Sequence, residues 1–401
     1  MGDVVIDYAR PPLAARERAV GYIPELDTFR TVAILLVMSL HWLPERSWIN
    51  RIQTGGDFGV YLFFVLSGFL ITRILMRCRE DAERGISSRG FALRQFYARR
   101  FLRIFPAYYL LLLVGVALNS PGLRAGFAWH AAYLSNVYFY HRRAFGGPAS
   151  LFWTLSVEEQ FYLLWPLAIL FIPRRAIQPF VVATLVLGTI LHGAARLMHP
   201  WAGILTPACM NFLAAGALIA VCESNLCGGA AKRERLLRLF AVLSGALALA
   251  AIVLWFVPSV PKKLDWERVV IQTGASFAFA WSIARAADGV GGALGIVLRF
   301  APLVYLGRIS YGLYIYQQFV VHWLNWLPPR VARHAGGGSA ITAFASTFTA
   351  RFLATVALAS LSWFLYEKPL NDLKRFFPYA RKPRPLALEE RGVPLPAATG
   401  S

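Results

Sequence analysis

Charged side chains are scarce in this sequence, and acidic ones are the scarcer kind. Asp, Glu, Lys and Arg make up 15% of the 401 residues, whereas 57% of the residues are hydrophobic. Soluble domains typically carry about 25% charged residues. The composition therefore excludes an ordinary soluble domain of this length. It predicts an integral membrane protein that forms one helical bundle rather than several soluble domains.

The shortage of acidic residues leaves a large positive charge. There are 21 Asp and Glu against 41 Lys and Arg, which gives a formal net charge of +20. In a soluble protein this excess would suggest a nucleic-acid partner. Here the basic residues fall in short segments between apolar runs, which is typical of the cytoplasmic loops of membrane proteins. We therefore expect membrane lipids and no nucleic acid as partners, and some basic residues could bind a polyanionic substrate.

Cysteine is also rare. The four cysteines have neither the spacing of metal ligands nor that of a disulfide framework. We expect no metal site and no permanently bound cofactor. A signal-peptide cleavage site is missing too, because basic residues precede the first apolar run but no cleavage site follows it. The first run is therefore predicted to be retained as a helix.

The sequence is rich in apolar runs of helical length, separated by basic or turn-forming segments. They predict an all-α, polytopic membrane helix bundle of about ten transmembrane helices. The predicted helices span about 27–43, 58–76, 101–118, 153–172, 179–196, 204–222, 238–257, 268–284, 303–327 and 341–366.

The segment 127–140 is apolar but shorter than a comfortable membrane span. The preceding loop from Arg77 to Arg103 is dense in arginine and is predicted to be cytoplasmic, which puts 119–152 on the outside. The helix after this segment must also begin outside, because Arg174 and Arg175 at its end indicate the cytoplasm. The segment 127–140 should therefore not cross, and we interpret it as re-entrant or interfacial.

Basic residues flank both ends of the apolar region, which predicts a multi-pass protein of the inner (cytoplasmic) membrane with both termini in the cytoplasm. We divide the chain into a cytoplasmic N-terminal segment (1–20), a transmembrane domain (21–380) and a tail (381–401). The tail is rich in proline and is predicted to be disordered and cytoplasmic.

The first apolar run contains ionisable residues. His41 follows Arg30 by eleven residues, about three helical turns, so the two fall on one helix face, and Asp27 precedes Arg30 by three residues. Ionisable groups in a membrane helix are costly and normally face a cavity or a partner. We interpret the three as a functional stripe. The alternative is an arginine that reaches the membrane interface and a hydrogen-bonded core histidine.

Two further motifs combine small or basic residues with apolar helices. Ser67 and Gly68 interrupt the second run, which permits close helix packing or contact with a ligand. Arg100 and Arg103 share a face at the start of the third run. Guanidinium groups bind phosphate oxygens in a two-point geometry, so this pair suits the phosphates of a cytosolic cofactor. The alternative is a membrane-anchoring role.

Glu158 and Glu159 lead into the fourth long apolar run. We expect these neighbours to point to different sides, one into the bundle and the other to the interface or a cation. Glu158 shares a helix face with Tyr162. A buried carboxylate can orient and polarise a histidine. The alternative is a pair of interfacial acids in water.

Aromatic and imidazole side chains leave more than one interpretation. The tyrosines within 310–318 could form an interfacial belt or line a cavity. The six other histidines fall at predicted outer ends or loops, and we expect them to be solvated: His130, His141, His192, His199, His322 and His334.

The order of these motifs resembles the acyltransferase-3 family of membrane O-acyltransferases, over about residues 20–380. The resemblance rests on Leu-Asp-x-x-Arg followed by His41, Phe-Phe-Val-Leu-Ser-Gly-Phe-Leu, Arg-Arg-x-x-Arg-Ile-x-Pro-x-Tyr, Trp-Thr-Leu-Ser-Val-Glu-Glu-Gln-Phe-Tyr-Leu, Ile-Ser-Tyr-Gly-Leu-Tyr and a final Glu-Lys-Pro at 367–369.

The resemblance implies transfer of an acyl group, often acetyl, from the co-substrate acyl-CoA to a hydroxyl. Acceptors in such a family include surface polysaccharide, O-antigen, peptidoglycan and secreted small molecules such as macrolides. It also implies a catalytic His41 and roles for Arg30, Arg100 and Arg103. Many members have a second histidine near the position of Gln317, which is a departure here. We expect no appended esterase-like domain.

We therefore predict O-acylation of a cell-surface glycan, such as O-antigen or exopolysaccharide, or of a lipid-linked saccharide. The predicted catalytic residues are His41 as general base or acyl carrier, Glu158 as the first candidate to orient it and Glu159 as the second. The predicted cofactor-binding residues are Arg30, Ser67, Arg100 and Arg103. The alternatives are acylation of a secreted small molecule, a proton-coupled transporter or flippase, and a binding scaffold.

Overall fold

The computed structural model describes residues 22–43, 58–224, 229–256, 266–324 and 340–379, and within these ranges the chain forms helices and no strands. The α-helices are α1 (Pro24–Trp42), α2 (Phe58–Glu83), α3 (Arg89–Ala117), α4 (Phe127–Ala131), α5 (Ser135–Arg142), α6 (Phe152–Phe171), α7 (Arg174–Met198), α8 (Thr206–Glu223), α9 (Ala230–Phe256), α10 (Trp266–Asp288), α11 (Gly292–Leu298), α12 (Ala301–Arg308), α13 (Ser310–Trp323), α14 (Ala340–Ser362) and α15 (Lys368–Asp372).

Six helices in the described ranges are long and apolar enough to cross a membrane. They are Phe58–Glu83, Arg89–Ala117, Arg174–Met198, Thr206–Glu223, Ala230–Leu254 and Thr347–Phe376. The chain is therefore a helical membrane protein, as predicted. The expected number of about ten spanning helices is not confirmed.

The structure differs from the predicted elements in several places. Helix α2 continues to Glu83 and α3 begins at Arg89, so most of the predicted loop from Arg77 to Arg103 is helical. The segment 127–140 forms two short helices, α4 and α5, and a re-entrant position is not confirmed. The predicted helix 303–327 is divided at Ile309 into α12 and α13. The last predicted helix continues beyond α14 into a π-helical turn, Trp363–Glu367, before α15. The predicted terminal segments 1–20 and 381–401 lie outside the described residues.

Helix α2 lies against α8 with very close backbone contact. A Cβ placed on Gly68 would lie 1.8 Å from the carbonyl oxygen of Leu213, and one placed on Gly216 would lie 2.0 Å from that of Val65. Only glycine allows two helix backbones to approach this closely, which is a common packing mode in membranes. Of the two small residues on α2, Gly68 therefore serves helix packing, whereas Ser67 lines the cavity described below.

The other neighbours of α2 enclose the candidate site. Helices α1 and α6 pack against α2, and α3 contacts both α2 and α6. Two cysteines, Cys78 and Cys209, are buried free thiols. Cys222 is disulfide-bonded, which the cysteine spacing did not predict.

Candidate active site

An elongated cavity of about 240 Å³ lies between α1, α2, α3, α6 and α13. Its lining on α2 extends from Val60 to Ile74. Fourteen residues at ~1.5 Å each give a length of about 21 Å along that helix. The hydrocarbon core of a bilayer is about 30 Å thick. The cavity is therefore long enough to carry a ligand through much of the membrane.

A group of polar side chains lines this cavity, and we call it the polar cluster. Its members come from four helices. Six of them are predicted site residues: Arg30, Ser67, Arg100, Arg103, Glu158 and Glu159. The seventh member is Tyr162. The sequence motifs thus converge in space although they are separated by up to 132 residues along the chain. The remaining wall is mainly apolar.

Glu158 is held inside the cluster by hydroxyl groups. Its Oε1 accepts a hydrogen bond from the Ser67 hydroxyl, and the Ser67 Oγ also lies 2.9 Å from the Tyr162 Oη. Glu158 and Tyr162 are four residues apart on α6, so both reach the same point on α2. The arrangement fixes one carboxylate oxygen against the wall of the cavity.

Glu159 also lines the cavity, so the prediction that the two acids point to different sides is wrong. Neighbouring residues of a helix are separated by about 100°. The cavity covers that arc, because it also touches Thr154, four residues before Glu158, and Leu155, four residues before Glu159. Two adjacent carboxylates therefore face one cavity.

Arg30 is paired with Asp27 on its own helix. The Arg30 guanidinium forms a salt bridge with the Asp27 carboxylate, which is only 5% exposed. Asp27 also accepts a hydrogen bond of 2.7 Å from the Tyr22 hydroxyl. Arg308 lies 3.9 Å from the same carboxylate. Much of the positive charge of Arg30 is thus neutralised within the protein.

Arg100 and Arg103 differ from Arg30 in this respect. Within the part of the chain that the structure describes, neither makes a salt bridge or a hydrogen bond, although both are half-buried. Arg100 lies over two aromatic rings, 5.5 Å from the centre of Phe96 and 5.3 Å from that of Tyr162. Guanidinium groups without a carboxylate partner at a cavity wall are suited to bind an anionic ligand.

His41 lies beyond the cavity rather than in its wall. Its ring is exposed, and Nδ1 is 2.7 Å from the carbonyl oxygen of Val37. Helix α1 meets α2 near this point, since a Cβ on Gly59 would lie 2.7 Å from Val37 Cγ2. Val60, the next residue, is where the cavity lining ends on α2. His41 is therefore about one turn beyond the end of the cavity.

The predicted stripe on α1 is consequently extended over two environments. Asp27 is buried and Arg30 lines the cavity, whereas His41 is about 16 Å further along the helix. In the described ranges no hydrogen bond joins His41 to Glu158 or Glu159. The predicted catalytic roles of these three residues stay predictions.

Two histidines expected to be solvated are fully buried, so this expectation is wrong for them. His130 Nδ1 lies 2.8 Å from the Ser135 hydroxyl. His192 lies between the Ala208 carbonyl at 3.0 Å and the Gln272 side-chain oxygen at 2.9 Å. The positions of these histidines near predicted helix ends did not reveal this burial, because it depends on contacts with residues of other helices: both ring nitrogens of His192 have a polar partner there, and Nδ1 of His130 has one.

The three tyrosines of α13 form two groups, which differ in whether they line the cavity. Tyr311 and Tyr314 line the cavity. Tyr311 donates a hydrogen bond of 2.9 Å to the Ile104 carbonyl, and Tyr314 bonds to Thr154. Tyr316 lies elsewhere, 2.8 Å from the Ser362 hydroxyl. Thr154 is a wall residue that the sequence reasoning missed, although it lies four residues before Glu158 in the same motif.

Gln317, at the position where many relatives have histidine, is fully buried. Neither its side-chain oxygen nor its side-chain nitrogen has a hydrogen-bond partner in the described part of the chain. It is not among the residues that line the cavity.

Apolar spanning helices and an internal cavity with opposed charges define the class: a polytopic membrane protein with a polar cavity inside its bundle. Comparison with known families refines this. The sequence model of the acyltransferase-3 family, described as "Acyltransferase domain", matches residues 23–367. The chain belongs to this family of acyltransferase enzymes.

Individual relatives are similar over part of the chain. The peptidoglycan O-acetyltransferase OatA of Listeria monocytogenes is 34% identical over 181 residues, which is 42% of this chain and 27% of the relative. The putative peptidoglycan O-acetyltransferase YrhL of Bacillus subtilis is 37% identical over 160 residues, 36% of this chain and 23% of the relative. A putative O-acetyltransferase of Staphylococcus aureus is 36% identical over 158 residues, 36% of this chain and 24% of the relative.

The aligned part thus spans about a quarter of the length of these curated relatives. No solved structure matches the chain.

Proposed function

We propose that the protein transfers an acyl group, specifically acetyl, from cytosolic acyl-CoA to a hydroxyl group of a cell-envelope glycan. The observation that carries this proposal is the elongated cavity, which combines two carboxylates with two arginines that form no salt bridge among the described residues. The names of the relatives, which are O-acetyltransferases of peptidoglycan, favour acetyl and a glycan.

The donor would bind through its phosphates. Arg100 and Arg103 offer two guanidinium groups that no carboxylate of the described residues pairs with. Each guanidinium can donate two parallel hydrogen bonds to a phosphate. The flexible thiol arm of the donor would then extend along the apolar wall of α2 towards Val60. Ser67 and Arg30 face this path.

Chemistry would take place at the far end of the path. The acceptor hydroxyl attacks the thioester carbonyl carbon, the hydroxyl proton passes to His41, and the CoA thiol leaves as the new ester forms. His41 is exposed one turn beyond the cavity, where a large acceptor can reach it. Imidazole titrates near neutrality and is the commonest general base. An acyl-His intermediate is the variant in which the same ring attacks first.

The carboxylates serve the polar cluster in this proposal. Glu158 accepts a hydrogen bond from Ser67, whose Oγ is also within hydrogen-bond distance of the Tyr162 hydroxyl, and Arg100 lies over the Tyr162 ring. Replacing Glu158 with Gln would remove the charge but keep the shape. A role of Glu158 or Glu159 in orienting His41 would require movement of one of these side chains, because in the described ranges no hydrogen bond joins His41 to either carboxylate.

The test is donor consumption by the purified protein. Protein in lipid nanodiscs is incubated with acetyl-labelled acetyl-CoA and a panel of glycans that includes peptidoglycan fragments. We expect release of free CoA and transfer of the label to one glycan. Transport of an intact solute without cleavage of the thioester would favour the rival transporter, and binding of a ligand without either event would favour a scaffold.

The acceptor class is tested in cells. Deletion of the gene should remove one acetyl ester from a defined envelope glycan, as read by mass spectrometry. Loss of an ester from a secreted small molecule, with all glycan esters retained, would assign the alternative acceptor class.

A further inference from the structure

The chain folds back against α3 after α14. The π-helical turn Trp363–Glu367, helix α15 and the 3₁₀ turn Leu373–Phe376 all contact α3. We call residues 363–379 the C-terminal segment. A single π-helical turn within a longer helix is uncommon and is often found at functional sites. Here the turn redirects the chain onto the helix that carries Arg100 and Arg103.

Arg99 anchors this segment. Its Nη1 donates hydrogen bonds to the carbonyl oxygens of Lys374 at 3.1 Å and Phe377 at 3.0 Å. Its guanidinium also lies over the ring of Tyr379, 4.8 Å from the centre. The three arginines of the motif on α3 therefore divide their tasks: Arg99 holds the C-terminal segment, whereas Arg100 and Arg103 line the cavity.

The backbone of Lys374 lies beside Arg99, and its side chain is within electrostatic range of all three arginines. It is half-buried, and its ammonium donates a hydrogen bond to the Asn371 side chain. The charges that act on it are those of Arg103, Arg100 and Arg99, all of the same sign. Partly buried like charges repel one another much more strongly than they would in water. An anion bound nearby would therefore favour the charged form of Lys374.

The described residues do not supply that anion to Lys374. None of Lys374, Arg99, Arg100 and Arg103 forms a salt bridge in the ranges that the structure describes. Glu367 acts electrostatically on Arg103, and its Oε1 accepts a hydrogen bond of 2.8 Å from the Ser362 hydroxyl.

We propose that Lys374 is a further binding residue for the donor, a third cation that contacts its phosphates together with Arg100 and Arg103. The C-terminal segment places Lys374 next to Arg99, which directly precedes the cavity-lining Arg100, and Arg99 keeps the segment in place. The inference rests on the proposed function, because it takes acyl-CoA as the donor. A coenzyme with several phosphate groups matches a site with three cations better than a single carboxylate or phosphate would.

The test compares two probes and three variants in equilibrium binding to the protein in nanodiscs. CoA carries the phosphates, and acetyl-pantetheine carries the thiol arm without the nucleotide. The variants are Lys374→Gln, Lys374→Arg and the control Lys368→Gln, which removes the same charge from an exposed residue of the same segment. Lys374→Gln should weaken CoA binding about tenfold or more, as expected for the loss of one charge-assisted contact.

Acetyl-pantetheine binding should change less than twofold in Lys374→Gln, and Lys374→Arg should recover most of the CoA affinity. Equal CoA affinity of Lys374→Gln and Lys368→Gln would overturn the inference while leaving the proposed function intact. An equal loss for both probes would also overturn it, because the substitution would then act on the cavity and not on the phosphates. If the wild-type protein does not bind CoA, the proposed donor itself is wrong.

Discussion

At the scale of single residues, the arginines of the cavity differ in whether a carboxylate of the described residues pairs with them. Arg30 is neutralised by the buried carboxylate of Asp27. Arg100 and Arg103 both line the cavity, and Arg100 also lies over two aromatic rings. Burying a cation without a partner is costly, so such groups are kept where a ligand supplies the counter-charge. Binding of an anionic donor explains both arginines at once.

Replacement of either unpaired arginine should therefore weaken donor binding. Arg100→Gln and Arg103→Gln should each lower acyl-CoA affinity by about ten- to a hundredfold, since a hydrogen bond to a charged group contributes about 1.5–3 kcal/mol. Arg94→Gln on the exposed side of the same helix is the control and should bind as the wild type does. Unchanged CoA affinity in both cavity variants would reduce these arginines to membrane anchors.

His130 makes the stability of the protein depend on pH. Burial lowers its pKa to about 4, from an ordinary value near 6.5. The unfolded chain therefore takes up this proton first as the pH falls. The associated stability is fully present above pH 6.5, is lost progressively towards pH 4 and amounts to about 3 kcal/mol at most.

Thermal unfolding of the purified protein at pH 7.5 and pH 5 measures this effect. The wild type should lose stability at pH 5, and His130→Gln should lose clearly less on the same change of pH. His141→Gln at an exposed histidine should behave as the wild type does. An identical pH response of wild type and His130→Gln would show that another group controls it.

Residue types and spacing were sufficient to predict the composition of the site, but not the surroundings of each side chain. Arg30, Ser67, Arg100, Arg103, Glu158 and Glu159 were all identified from local motifs, and all line one cavity. The common orientation of the two acids was missed because the width of a cavity is set by the neighbouring helices. The burial of His192 was missed for the same reason, since its partner Gln272 is 80 residues away.

At the scale of helices, backbone contact between α2 and α8 fixes the position of Ser67. The backbone of Gly68 is in close contact with Leu213. This contact fixes the preceding residue, Ser67, whose hydroxyl donates a hydrogen bond to Glu158. The packing glycine and the cavity serine are adjacent, which links stability of the helix pair to the geometry of the site.

Adding a methyl group at Gly68 should separate the two helices. In Gly68→Ala the new Cβ would meet the Leu213 carbonyl, which is backbone and cannot rotate away. We expect a loss of about 1–3 kcal/mol in stability, the usual result of overpacking, and reduced acyl transfer. Gly245→Ala, on α9 with open space around it, should be neutral or slightly stabilising. Thermal unfolding of both variants decides this, and equal midpoints would contradict the close contact.

Some helix boundaries were predictable: those of α6 were correct to within one residue, whereas α2 continues past the basic residue Arg77 to Glu83. Boundaries were not predictable where tertiary contact interrupts a run. The break between α12 and α13 follows Gly307, where a Cβ would lie 1.9 Å from the Asp27 carbonyl oxygen. The π-helical turn before α15 likewise accompanies contact with α3, which no local sequence pattern specifies.

At the scale of the whole molecule, the proposed reaction requires a fixed orientation in the membrane. Donor-binding arginines must face the cytoplasm, where acyl-CoA is made, and His41 must face the compartment of the acceptor. The density of arginines from Arg77 to Arg103, on both sides of the short loop between α2 and α3, indicates the cytoplasmic side. The segment that contains α4 and α5 should then be outside.

Cysteine labelling tests this orientation. Single cysteines replace Ser88 and Ala144, which are both exposed, in a chain whose native cysteines have been removed. A membrane-impermeant thiol reagent added to intact cells should modify the cysteine at 144 and spare the one at 88 until the membrane is opened. Labelling of both from the same side would contradict the topology.

The central claim is that His41 carries the chemistry of acyl transfer at the far end of the cavity. The most direct measurement is the rate of acetyl transfer from labelled acetyl-CoA by His41→Gln, at matched protein levels, with the exposed His141→Gln as control. Glutamine keeps a hydrogen bond to the Val37 carbonyl but has no group that titrates near neutral pH. The account predicts a loss of about 10²–10⁴-fold in His41→Gln and a normal rate in the control. A rate in His41→Gln above about a tenth of the wild-type rate, far higher than the loss of a general base allows, would contradict the account.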